Sequence, residues 1–275
     1  MTRHYADLHV HSIFSDGSLS PEEIVQAAVA HDVGLLAVAD HSVAEGSLKA
    51  QALCLEAGIR CIPAVEIDAL DGDTSIHVLA YGADFNNAAF RSYLSHMRFL
   101  LDECSVKLVG AMRSDYANVS LPDFFDFTFN RRLGGWKGLH YLLEKGITAS
   151  LKDGIPMYKK YGITPGKSGF STVAATAHRI HLAGGYAVLA HPGVVFDPSD
   201  IASFMQEVAR VMELGLDGIE CYYPKHSEEV TQNCVNYCRK HNLLITGGSD
   251  SHGVFTGARI GELKIPAKNL ELKGL

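Results

Sequence analysis

Seven short apolar runs recur along this chain between helical stretches, and most of them end on or beside a histidine or a carboxylate. They are YADLHV (5–10), GLLAVA (34–39), RCIPAVEI (60–67), SIHVLAYG (75–82), YAVLAH (186–191), DGIECYY (217–223) and LLITGG (243–248). Each is too short for an independent helix and lacks polar alternation, which predicts strands of a parallel sheet buried on both faces. The intervening segments carry helix signals. Ser20-Pro21-Glu22-Glu23 reads as a capping box with proline at the first helical position. A second helix is expected from Ala44 to Ala57, ending at Gly58, and others over 171–183, 198–214 and 226–241, with Gly184 and Gly215 as stops. Alternating strand and helix leaves a doubly wound sheet or a β/α barrel.

The polar residues decide between those two. His9, His11, Asp16, His41, Glu66, His77, His191, Asp250 and His252 follow one another at the ends of the runs. His11 to His41 is 30 residues and His41 to Glu66 is 25, about one strand-plus-helix unit each. Residues at equivalent points of successive units meet in a barrel, round one mouth, but stay far apart in an open sheet. The expected core is therefore a (β/α) TIM-like barrel. His9 and His11, two apart on a strand, point to the same side. Imidazole and carboxylate hold borderline divalent metals, and nine of them exceed what one ion can use. Burying so many ionisable groups without a cation is costly, so a multinuclear metal site is expected.

Residues 84–169 break the rhythm: no strand is evident, while LSHMRFLLDECSVKLVGAMRSD and WKGLHYLLEKG have helical patterns. This stretch reads as a helical insertion over the barrel mouth and the place of substrate selection, with the barrel formed by 1–83 and 170–275. Of the 275 residues 47% are apolar, enough for a full core. The formal charge of −7 and the lack of a basic run argue against an extended nucleic-acid-binding surface. No stretch reaches the roughly 20 apolar residues of a membrane span, and the start MTRHYADLHVH lacks the core of a secretory signal. A soluble, cytoplasmic protein is expected, its six cysteines free thiols.

The motifs Asp7-Leu8-His9-Val10-His11-Ser12 with Asp16-Gly17, Asp40-His41, Glu66 with His77, Ala190-His191-Pro192 and Asp250-Ser251-His252 resemble the PHP (polymerase and histidinol phosphatase) family of metal-dependent phosphoesterases. The resemblance implies an α/β fold, a distorted (β/α)7 barrel, and three divalent ions of manganese, iron or zinc. It implies that His9, His11, Glu66 and Asp250 hold one ion, that Glu66 bridges to a second held by His77 and His191, and that Asp16, His41 and His252 hold the third. Ser42 stands after Asp40-His41 where many relatives have Asp. The long insertion resembles that of the group acting on 3′,5′-bisphosphonucleotides or oligonucleotide 5′ ends; histidinol phosphate is the alternative substrate. A non-catalytic metal-binding PHP module is a further alternative, as is an amidohydrolase, against which the ligands Asp16, His41 and His252 argue.

Further residues complete the expected site. Asp7 and Asp40 flank ligands and are expected to orient imidazoles as outer acceptors, and Glu220, within a strand, to pair with a cation or backbone. His226, in YYPKHS, is expected at the barrel mouth as phosphate contact or proton donor, by resemblance. Arg131, Arg132 and Lys137 open a helix and offer an anion site. Relatives carry Arg-x-His there, and this chain has Gly134 in place of the His. Lys167 and Arg179 are further phosphate candidates. The reaction expected is attack on phosphorus by a metal-bridging hydroxide.

Overall fold

Ser20 starts the first helix as its sequence dictates: its side chain accepts from the Glu23 amide while the Glu23 carboxylate accepts from the Ser20 amide. In the computed structural model, which describes residues 3–275, the chain begins β1 (Tyr5–Val10), α1 (Pro21–Ala30), β2 (Val33–Val38), α2 (Glu45–Ala57), β3 (Arg60–Cys61), β4 (Ala64–Asp71) and β5 (Thr74–Tyr81). A helical stretch follows: α3 (Ala88–Met112), α4 (Leu121–Asp126), α5 (Lys137–Glu144), α6 (Ile155–Lys160), α7 (Pro165–Ser168) and α8 (Val173–Leu182). The chain returns to β6 (Tyr186–Leu189), α9 (Pro192–Val195), α10 (Ile201–Met212), β7 (Gly218–Tyr222), α11 (Glu228–Lys240), β8 (Leu244–Gly247) and β9 (Ile265–Pro266). Among the described residues no helix is long and apolar enough to cross a membrane. All six cysteines are unpaired.

The expected parallel sheet needs correction. The strands form two mixed sheets, β3-β2-β1-β9 and β4-β5-β6-β7-β8. Strands β1, β2 and β3 run parallel, as do β6, β7 and β8, but β5 is antiparallel to both β4 and β6. The reason lies in the connection: Asp71 pairs with Thr74, so Gly72-Asp73 is a two-residue hairpin loop. A parallel crossover needs a dozen residues or more. The run RCIPAVEI is likewise two strands, β3 and β4, parted at Ile62-Pro63. Between the two sheets the rims meet in single bridges, Val10 with Ser251 and His41 with Glu66. The fold is mixed α/β, and its hydrogen-bonded ladders do not form one closed ring.

Three apolar cores hold these elements. The largest lies within and behind the sheets and a second lies under α1 and α2. The third, around Leu108, Val109, Met112, Phe124, Tyr141 and Leu142, belongs to the helical stretch. Helix α3, 25 residues long, serves two of them. Phe90, Leu94, Met97 and Leu100 on its first half join the main core, each fully buried apolar side chain being worth about 1.5–3 kcal/mol. Its second half, with Leu108, Val109 and Met112, builds the separate one.

Candidate metal centre

The strand ends converge because the backbones there approach closely. Gly248, after β8, lies against β1; a Cβ on it would sit 2.4 Å from the His9 nitrogen. That approach lets the Asp250 amide donate to the His9 carbonyl (2.8 Å) and the His11 amide to the Ser251 carbonyl (2.9 Å). Non-glycine residues with positive φ cluster here too: Ser42 (52°), His191 (28°) and Asp250 (51°). Such conformations are costly and persist where surrounding structure enforces them, commonly at functional sites.

All nine candidate ligands lie at this rim, around Glu66. The Nε2 atoms of His9 and His11 are 3.1 Å apart. Glu66 Oε2 lies 3.3 Å from His9 Nε2, 3.2 Å from His11 Nε2 and 3.3 Å from His41 Nε2. Glu66 Oε1 lies 2.8 Å from His77 Nδ1 and 3.1 Å from His191 Nε2. Asp250 Oδ1 completes a first group at 3.5 Å from His9 Nε2 and 3.2 Å from His11 Nε2. On the other side His252 Nε2 is 3.3 Å from Asp16 Oδ2, and the His252 and His11 rings stack at 4.0 Å. Three sets emerge that could each surround a cation: His9, His11, Glu66 and Asp250; His11, Asp16, His41 and His252; and His41, Glu66 and His77.

The donor set fits divalent ions. Ligand atoms about 2.1 Å from a tetrahedral ion lie about 3.4 Å from one another, and within each group the ligand atoms all lie within 4.8 Å of one another. Outer acceptors also fix the imidazole protons. His9 Nδ1–H donates to Glu220 Oε1 (3.0 Å), His41 Nδ1–H to Asp68 Oδ2 (3.1 Å) and His252 Nδ1–H to the Asp250 carbonyl (2.9 Å). In each case Nε2 is left facing the cluster, where giving up its proton would free a lone pair for a cation, the arrangement of metal-ligating histidines. His11 Nδ1 and His191 Nδ1 are buried without a hydrogen-bond partner.

Electrostatics keep the carboxylates ionised. Burial pushes Glu66 up, but the imidazoles of His77, His9 and His41 outweigh it and hold the carboxyl well below its usual range. Asp16 is likewise held low against burial by His252, His41 and His11. His252 is raised to about 9: burial opposes this, and the Asp16 carboxylate prevails. Carboxylates charged at neutral pH and imidazoles that exchange a proton for a cation are what divalent binding requires.

Several neighbours depart from expectation. Asp40 accepts from the Ser12 amide, the Ser12 hydroxyl and the Ser15 hydroxyl, so it shapes the loop after β1 and orients no imidazole. Asp7 accepts from the amides of Ser249 (2.9 Å) and Gly261 (2.8 Å), joining β1 to the chain after β8. Glu220 takes the expected pairing role, and besides His9 it accepts from the His191 amide at 2.8 Å. His226 turns both ring nitrogens to backbone. Nδ1–H donates to the Cys221 carbonyl (3.0 Å), and Nε2 accepts from the Gly193 amide (3.1 Å). Burial lowers its pKa, and the neutral ring so arranged has neither a free proton nor a free lone pair for a phosphate.

The cationic candidates separate in the same way. Arg131 and Lys137 line one cavity beside Ser15 and Trp136. Arg132 instead pairs with Glu23 on α1, and Lys167 and Arg179 are exposed on α7 and α8. Gly134 has φ of 67°, and a Cβ there would meet Phe255 Cβ at 2.7 Å and the Asp16 carbonyl at 2.9 Å. Phe255, from the His252 loop, thus occupies the space a histidine side chain would need. Sequence reasoning missed Asp68, which bonds both His41 and, at 3.3 Å, His77. Its signal was present: Asp68 lies two residues after Glu66 on one strand, hence on the same face.

The PHP domain family matches residues 7–120. The 5′-3′ exoribonuclease Rnm of Salmonella typhimurium is 30% identical over 258 residues, covering 90% of this chain and 84% of that protein. The chain belongs to the PHP family. A 3′,5′-nucleoside bisphosphate phosphatase of Chromobacterium violaceum is 28% identical over 265 residues, covering 92% of this chain and 89% of its own. Among solved structures, a protein from Bifidobacterium adolescentis described as a metal-dependent phosphoesterase superposes with a TM-score of 0.77 at 26% identity, over 96% of this chain and 93% of that one. PHP membership makes this chain a hydrolase of phosphoesters. It accounts for a rim dense in imidazole and carboxylate.

Proposed function

We propose that this PHP enzyme hydrolyses phosphomonoesters of 3′,5′-bisphosphonucleotides or short oligonucleotides at a three-metal centre. The convergence of nine metal-competent side chains on Glu66, with three imidazole protons fixed from outside, carries the reading. His9, His11, Glu66 and Asp250 would hold one ion. Glu66, His77 and His191 would hold a second, and Asp16, His41 and His252 a third, with His11 beside it. Divalent ions held there supply Lewis acidity to phosphoryl oxygens and an activated water as nucleophile. The chain's own groups do the rest. Glu220 and Asp68 hold the His9 and His41 rings in register, and Tyr223 fixes Asp250 by donating to Oδ2 (3.0 Å). His226 ties the turn after His191 to the end of β7.

The same reading takes residues 84–169 as the insertion that selects substrate, anchored through the first half of α3 and carrying its own apolar core. It takes β2-β1-β8-β7-β6-β5-β4 as an open seven-strand ring joined at the two rim bridges. Elemental analysis of the purified protein should find three divalent ions per chain. The same preparation should release phosphate from a 3′,5′-bisphosphonucleotide faster than from histidinol phosphate. Fewer than two ions per chain, or no release from any phosphoester, would overturn the proposal.

A further inference from the structure

Arg98, on α3, lines a cavity of about 310 Å³ with Arg131, Lys137, Trp136, Phe129 and Ser15. Its guanidinium lies over the Trp136 indole, with Cζ 5.0 Å from the ring centre, and the same indole is 5.5 Å from the His41 ring. Ser15 directly precedes Asp16. The cavity therefore adjoins the candidate ligands at two points.

Three cations face one carboxylate there, Asp102. Asp102 accepts from Arg98 Nε at 3.1 Å, which leaves the guanidinium fork open, and the buried Nη1 has no partner. Arg131 donates from Nη1 to the Ile13 carbonyl (3.3 Å) and Lys137 from Nζ to the Phe125 carbonyl (3.1 Å), each keeping further donors. Like charges gathered between aromatic walls repel, and an anion relieves that repulsion. A planar fork with unspent N–H groups matches phosphate oxygens in particular. Arg132 is committed to Glu23 and Gly134 lies under Phe255, so neither supplies this chemistry.

We propose that this cavity receives a second phosphate of the substrate, with Arg98 as its selecting residue, while the scissile phosphate lies at the ligand cluster. The inference rests on the phosphoesterase reading and assigns to Arg98 the recognition of the further phosphate that those substrates carry. That group is either a terminal phosphate, as in a bisphosphonucleotide, or the first diester of an oligonucleotide.

Steady-state kinetics of the metal-loaded full-length protein test it, comparing wild type, R98Q and R98K. The substrates are a nucleoside 3′,5′-bisphosphate, the corresponding monophosphates and a 5′-phosphorylated dinucleotide. Wild-type turnover of a monophosphate tests the phosphoesterase reading by itself. The second-phosphate site requires the ratio of kcat/KM for bisphosphate over monophosphate to fall about 30-fold in R98Q, as loss of a charge-assisted bidentate contact implies. The loss should appear in KM, and R98K should lose less. An unchanged ratio in both variants overturns the proposal, because a residue that only props Trp136 slows both substrates alike. A dinucleotide loss matching that of the bisphosphate supports the site and names a diester as occupant. A selective bisphosphate loss without it supports the site and names a terminal phosphate.

Discussion

At the strand ends the buried side chains are imidazoles and carboxylates: His9 and Glu220 are wholly inaccessible and Glu66 is 1% exposed. In the helical stretch the buried side chains are mostly apolar, as with Leu108, Val109 and Met112, and cations such as Arg131 and Lys137 line a cavity instead. The two regions face each other across Trp136 and Phe255. A buried charge tolerates no change of partner, so each rim residue is held by several others. A cavity wall can change one side chain and keep its fold. On the proposed function the rim would fix the chemistry and the helical stretch would choose the substrate.

The strongest attempt to break that contrast is Glu66→Gln. Five imidazoles lie within 3.3 Å of this carboxylate. Losing it should cost about 10³-fold or more in turnover, since bound metal supplies several kcal/mol of transition-state stabilisation. The loss should be equal for every phosphoester and should accompany reduced metal content by elemental analysis. A variant that lost one substrate and kept another would show that the rim also selects.

Asp68→Asn comes next. Asn still reaches the His41 and His77 rings but carries no charge to hold their protons, so metal affinity should fall about 10–100-fold, as for other outer partners of ligating histidines. Titration of metal into the chelator-treated variant measures it, and wild-type affinity would remove Asp68 from the site. Asp68 also marks how far sequence reading reaches here. Strand positions were legible from the length of the apolar runs, and the candidate ligands that the structure gathers from their place at the run ends. Strand direction was not, because pairing is non-local and Gly72-Asp73 had to be recognised as a hairpin loop. Arg98 was illegible for another reason: with Asp102 four residues on it reads as a solvated helical pair. Its role depends on Trp136, 38 residues away, packing beneath it.

The seam between the regions is tested by Gly134→Ala. The added methyl would meet Phe255 Cβ and the Asp16 carbonyl, at a φ that disfavours any side chain. A loss of about 1–3 kcal/mol in unfolding free energy is expected, read from denaturant titration. Phe255→Gly in the same chain should recover part of it, since only glycine removes the Cβ that the methyl would meet. No recovery would place the cost in the positive φ at Gly134 and the contact with the Asp16 carbonyl.

The smallest expected effect is that of His226→Asn. Asn places an amide near the Nδ1 position, so the bond to the Cys221 carbonyl can survive while the Gly193 amide loses its acceptor. The turn that carries His191 should loosen, and turnover should fall by less than about tenfold. The pH profile separates this positioning role from acid catalysis. A general acid must be protonated to act, so its pKa would appear as the alkaline limb of kcat. Burial lowers the His226 pKa, which keeps the ring neutral at pH 7 and above. The alkaline limb should therefore stay where it is in the variant. Its disappearance would show that His226 leaves its backbone partners during turnover and gives up a proton, moving it from support of the rim into the reaction itself.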